Sequence, residues 1–148
     1  YLLDLHGESS RCYLASDALC NVLQVLNHLQ DCKEDYQKLN RVYLPLEWMR
    51  ENGVGVECLD APNSIPELKS VFLKTLDTTA DLLRVADMLP KRIENKRLAM
   101  ESRAIINIAN TLERELRERD PLVERVKLSK WQYILSCATG VFMALLVT

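Results

Sequence analysis

The chain has 148 residues, a formal net charge of −2, 48% hydrophobic residues and 27% charged residues. That is one domain's worth of chain, apolar enough to build a core and too apolar for a disordered segment. The near-neutral charge gives no electrostatic basis for a nucleic-acid partner. Cys12, Cys20, Cys32, Cys58 and Cys137 form an odd set without a CxxC pair, which argues against a disulfide framework or a zinc site and for a reducing compartment. The expected location is the cytoplasm, with the periphery of the inner membrane as the alternative.

Helical periodicity runs through the sequence and no alternating strand pattern interrupts it. The first residue is Tyr1 rather than Met, and Tyr1–His6 reads as the interior of a helix, so the chain is expected to be the C-terminal part of something larger. A helix is expected from Ser16, as N-cap, to about Tyr36, ended by Pro45 at the latest. A short helical turn over 46–51 precedes the break at Asn52-Gly53-Val54-Gly55. Ser64 or Pro66 starts the next helix, roughly 66–88, with Leu68, Val71, Phe72, Thr75, Leu76, Thr79, Leu82, Leu83 and Ala86 on its apolar face. Pro90 interrupts, and residues 91–118 form another helix that should bury Leu98, Ile105, Ile108, Ala109 and Leu112. Asp120-Pro121 marks a break before the tail. Residues 1–130 thus read as one all-α unit of antiparallel helices. Residues 131–148 carry no charge and follow Arg125, Lys127 and Lys130. They read as a terminal helix buried on the bundle, or as a tail that contacts a membrane surface.

One helix face stands out chemically. Asn27, Asp31 and Asp35 are spaced four apart, so they rise in a column, each about 40° round from the last. Gln24 shares the stripe, while Val22, Leu23, Val25, Leu26 and Leu29 take the other side. Such a column repels itself unless something positive sits on it. The stripe contains no Lys or Arg for i,i+4 pairing, and Asn and Asp are poor helix formers. Hard cations such as Mg²⁺ prefer oxygen ligands and are often held by a few carboxylates plus phosphates. Arg41 and Tyr43 stand just past the helix, where a guanidinium could meet a phosphate. Physics alone leaves two readings open, a metal site and a solvated face. Asp77 and Asp81, also four apart, lack such flanks and read as a solvated edge. Cys20 and Cys32 read as small buried hydrophobes, His28 as structural, and Lys91, Arg92, Lys96 and Arg97 with Glu94 and Glu101 as a salt-bridged surface.

The pattern Gln24-x-x-Asn27-x-x-x-Asp31-x-x-Glu34-Asp35, followed by Arg41-x-Tyr43-x-Pro45, closely resembles the second aspartate-rich motif of the squalene and phytoene synthases. Asp120-Pro121 and Arg125-Val126-x-x-Ser129-Lys130 resemble that family's C-terminal segment. The wording from Leu19-Cys20 to Leu26-Asn27-His28-Leu29-Gln30-Asp31-Cys32 is most like the hydroxysqualene synthases of bacterial hopanoid pathways.

The resemblance implies the C-terminal portion of an isoprenoid-synthase-type helical bundle. It implies Mg²⁺ held by Asn27, Asp31 and Asp35, the two aspartates being catalytic, and a substrate bound by Gln24, Arg41 and Tyr43. Glu34 is expected beside the ligands rather than among them. The implied substrate is presqualene diphosphate or a related prenyl diphosphate. The implied reaction is its ionisation with loss of diphosphate and capture by water to give hydroxysqualene; the alternatives are an unhydroxylated product of the squalene or phytoene type and a non-catalytic helical module. An apolar cavity is needed, and the helices at 66–88 and 91–118 are its expected walls. The family's other aspartate-rich motif is absent from residues 1–148, so this chain alone is expected to have negligible synthase activity.

Overall fold

The structure is a computed structural model that describes residues 2–146. Tyr1 and the last two residues of the tail lie outside it. Among the described residues all regular structure is helical: α1 Leu2–Leu5, α2 Tyr13–Leu39, α3 Leu46–Glu51, α4 Pro66–Ala86, α5 Leu89–Arg92, α6 Lys96–Glu118 and α7 Lys130–Leu146. Helix α2 packs against α4 and α6, and α7 runs along α6. One apolar cluster joins Val22, Leu26 and Leu29 of α2 to Leu68, Val71, Phe72 and Leu76 of α4. A second, at the other end, joins Ala15 and Leu19 to Leu89, Leu98 and Ile106.

Helix α2 begins at Tyr13, three residues before the expected cap at Ser16. A 3₁₀ turn, Ser10–Cys12, feeds straight into it, and Ser9 rather than Ser16 provides the side-chain cap, accepting from the Arg11 amide at 3.3 Å. The helix ends at Asn40, which adopts the left-handed conformation at φ 50° that asparagine tolerates better than most side chains. The Arg41 amide then donates to the Asp35 carbonyl at 3.2 Å, so the chain turns sharply at that point. At the far side of α3, Gly53 has φ +68° and makes the expected break.

Helix α4 starts at Pro66, as its ring favours, and ends at Ala86. The expected apolar face is buried, apart from Thr75 and Leu82, which are partly covered. The helix expected over 91–118 is divided. A single turn, α5, contains Pro90, and α6 begins at Lys96. The division has a local cause: the buried Glu8 carboxylate accepts the amides of Glu94 and Asn95 at 2.9 and 2.8 Å. Those two bonds hold the chain off the helical path and satisfy the buried charge. Asn95 then caps α6 by accepting from the Leu98 amide at 3.1 Å. Ile105 was expected inside and is 39% exposed.

Residues 130–146 form a helix along α6, and at its described positions polar side chains meet α6. Asn107 donates to the Ser136 carbonyl and the Thr139 hydroxyl, at 3.4 and 3.3 Å, and Thr111 pairs with the Ser136 hydroxyl at 3.2 Å. Gln132 donates to Glu115. Trp131, Tyr133, Ile134 and Leu135 point outward, Trp131 being 80% exposed. No helix among the described residues is long and apolar enough to cross a membrane.

Candidate active site

The stripe lies on the half-open side of α2. Gln24 and Asn27 are exposed, Asp31 and Asp35 half-buried. Beyond the turn at Asn40 the chain folds back along α2, and Tyr43 stacks flat on His28 with ring centroids 3.6 Å apart and planes 7° from parallel. Tyr43 thus braces the helix beside the stripe, and His28 serves as its platform. The His28 Nδ1 is buried and has no hydrogen-bond partner among the described residues. Arg41 stays exposed on the returning segment and its side chain makes no bond among the described residues.

The positive group that the column requires comes from the other end of the chain. The Arg125 guanidinium grips the Asp31 carboxylate: Nη2 donates to Oδ2 at 2.8 Å and Nε lies against Oδ1. Arg125 reaches Asp31 because the segment after α6 is strapped back over α2. Asp120 accepts the Ser64 amide and hydroxyl at 2.7 and 2.6 Å and the Leu122 amide at 2.9 Å. Lys33 donates to the carbonyls of Ala61 and Leu122 at 2.8 and 3.1 Å, and Gln30 donates to the Val126 carbonyl. Burial works to raise the Asp120 carboxyl, but the bonds from Ser64 and Leu122 outweigh it and hold it below the usual carboxylate range.

The remaining charges are ordinary. Glu34 is exposed and pairs with Lys38 at 2.6 Å. Asp77 pairs with Arg117 at 2.8 Å and Asp81 with Arg84, both at the solvated edge as expected. Of the basic run, Arg97 pairs with Glu101 at 3.1 Å, whereas Arg92 donates to the Arg11 carbonyl instead. Cys32 is buried, and burial pushes its thiol up to about 12, so it stays protonated and offers no thiolate. Cys20, expected inside, is exposed.

Cys20 is exposed because it borders an open cleft. A cavity of about 520 Å³, mostly apolar at its walls, lies between the start of α2 and α6, lined by Leu19, Cys20, Leu23, Leu98, Ser102 and Ile105 among others. Helix α6 lines this cleft and α4 does not. On helical geometry Cys20, Leu23, Gln24, Asn27, Asp31 and Asp35 fall within roughly 120° of arc. One face of α2 thus carries Cys20 and Leu23, together with Ser16 and Asp17, along the cleft and is oxygen-rich further along.

The donor set suits Mg²⁺. Two carboxylates and an amide oxygen are hard ligands, and the Asp35 carboxylate makes no bond among the described residues. The stripe can fill only part of a coordination shell, because among the described residues no three His, Cys, Asp or Glu side chains converge. Mg²⁺ commonly completes such a shell with water and substrate phosphates.

The all-α bundle fits the helical fold of the isoprenoid synthases, and its helix α2 carries the oxygen-donor stripe. The chain belongs to the squalene/phytoene synthase family, whose profile matches residues 1–132. It is 42% identical over 136 residues to the hydroxysqualene synthase of Rhodopseudomonas palustris, covering 92% of this chain and 47% of that protein. The hydroxysqualene synthase of Sinorhizobium fredii is 40% identical, covering 91% of this chain and 46% of that protein. That of Zymomonas mobilis is 36% identical, covering 88% and 44%. The chain therefore spans less than half the length of these relatives. No solved structure matches it.

Proposed function

We propose that the protein containing this chain is a Mg²⁺-dependent hydroxysqualene synthase of hopanoid biosynthesis, converting presqualene diphosphate and water to hydroxysqualene and diphosphate. The observation that carries this reading is the two-part face of α2, with oxygen donors for a head group and an apolar cleft for a hydrocarbon tail. The names of the three relatives support the choice of product.

Asn27, Asp31 and Asp35 would hold the metal, which when bound supplies positive charge to the departing diphosphate. Gln24 and Arg41, exposed on either side of the stripe, bind diphosphate oxygens. Tyr43 keeps its place on His28 and steadies the helix beneath. The carbon–oxygen bond breaks with its electron pair on diphosphate. After rearrangement, water adds to the cation and releases one proton. The cleft walls shield the cation until that capture.

The test is turnover of presqualene diphosphate by the full-length enzyme. Asp31→Ala and Asp35→Ala should each lower kcat by at least about 10³-fold while the helical circular-dichroism signal is kept. Wild-type-like turnover in either variant would sink the assignment. Products analysed with and without a nicotinamide reductant separate hydroxysqualene from squalene or phytoene. The present chain, assayed alone, should show no turnover.

A further inference from the structure

The contact between Arg125 and Asp31 bears on how the stripe accepts a cation. Two carboxylates one helical turn apart repel each other, and here only one of them is compensated. Asp31 is 16% exposed: its Oδ2 accepts a hydrogen bond from Arg125, while its Oδ1 is buried in ion-pair contact with Nε and has no hydrogen bond among the described residues; Arg125 is 44% exposed, so its solvent side is open. Asp35, a turn further on, has no partner among the described residues. The strap that delivers Arg125 does not depend on it. Leu122 and Val126 are buried, and Asp120, Lys33 and Gln30 hold the backbone on either side. The guanidinium can therefore leave Asp31 by side-chain rotation alone, with no movement of the fold.

We propose that Arg125 is the resident counterion of the stripe: it occupies Asp31 when no divalent cation is bound, and a cation binds only by displacing it. This rests on the metal assignment made for Asn27, Asp31 and Asp35. The role is one of positioning and charge. Arg125 keeps Asp31 ordered and neutralised in the empty site, and it sets how much cation is needed to load it. A planar guanidinium can hold one carboxylate oxygen by a hydrogen bond while lying against the other, which the point charge of an ammonium does less well.

The experiment is a titration of the full-length protein containing this chain with Mn²⁺, followed by calorimetry and by the loss of free-ion paramagnetic resonance signal. Arg125→Gln should bind Mn²⁺ about tenfold more tightly, the order expected for removing one positive charge from contact with partly solvated carboxylates. Arg125→Lys should fall between the two. Without metal, Arg125→Gln should melt below wild type, and saturating Mn²⁺ should close that gap, because the bound state no longer uses the pair. A merely structural arginine would leave the gap open. Equal Mn²⁺ affinity in wild type and Arg125→Gln, with binding lost in Asp31→Asn, would overturn the counterion role and leave the metal assignment standing. Weaker binding by Arg125→Gln would also overturn it. Absence of Mn²⁺ binding in every variant would defeat both.

Discussion

Helix α4 turns Leu68, Val71, Phe72, Leu76 and Leu83 inward, whereas α7 meets α6 through Gln132, Ser136 and Thr139 and leaves Trp131, Ile134 and Leu135 outside. Both helices are rich in apolar residues, and they hold to the bundle by different means. Burial of α4 removes a continuous apolar face from water, at roughly 25 cal/mol per Å². Among the described side chains of α7, contact with α6 is made by a few directional bonds, each with a net worth of about 0.5–1.5 kcal/mol. Apolar content alone does not say which side of a helix faces its neighbour. At its described positions the inner seam of α7 is polar because Asn107 and Thr111 on α6 present polar groups that need partners.

The contrast can be tested on stability. Truncating the α4 face should have the largest effect: Leu76 is 1% exposed, and Leu76→Ala should cost about 3 kcal/mol in chemical denaturation. A cost below that of the α7 variants would reverse the contrast. The entry to α4 offers a test through pH, since Ser64, two residues before Pro66, is held by Asp120. The Asp120 carboxyl is depressed in the folded state, so its stabilisation is present above the ordinary carboxylate range and is lost as pH falls through and below about 4. Asp120→Asn should cost about 1–2 kcal/mol at neutral pH, and the difference from wild type should shrink as the solution is acidified. A constant difference down to low pH would show that the carboxylate charge is not the source. Smallest are the effects on α7. Ser136→Ala should cost about 1 kcal/mol or less, and Trp131→Gln should stay within about 0.5 kcal/mol of wild type. A larger loss from Trp131→Gln than from Ser136→Ala would mean that the outward face of α7 is the one that packs.

What the sequence discloses follows the range of the interactions. The stripe on α2 is local, since residues four apart on a helix must share a face, so Gln24, Asn27, Asp31 and Asp35 could be placed together from spacing alone. The buried face of α4 is equally local and was legible for the same reason. Arg125 was not legible as the partner of Asp31. It stood out only as part of a weaker motif, and the contact spans 94 residues of chain. The break before α6 is not legible in the local sequence because its cause, Glu8, acts across 86 residues on the Glu94 amide. The inward face of α7 was hidden because no periodicity within a helix reveals the polarity of its neighbour.

The left-handed turn at Asn40 makes the two contacts at the stripe unequal in chain entropy. By reversing the chain there, it lets Tyr43 reach His28 across 15 residues, while Arg125 must close a loop of 94 to reach Asp31. Loop closure grows as the logarithm of length, so the longer contact costs about 1.6 kcal/mol more. The scaffold of the stripe is therefore a short, self-contained hairpin of chain, and its charge compensation is a long-range contact that depends on the whole bundle being assembled.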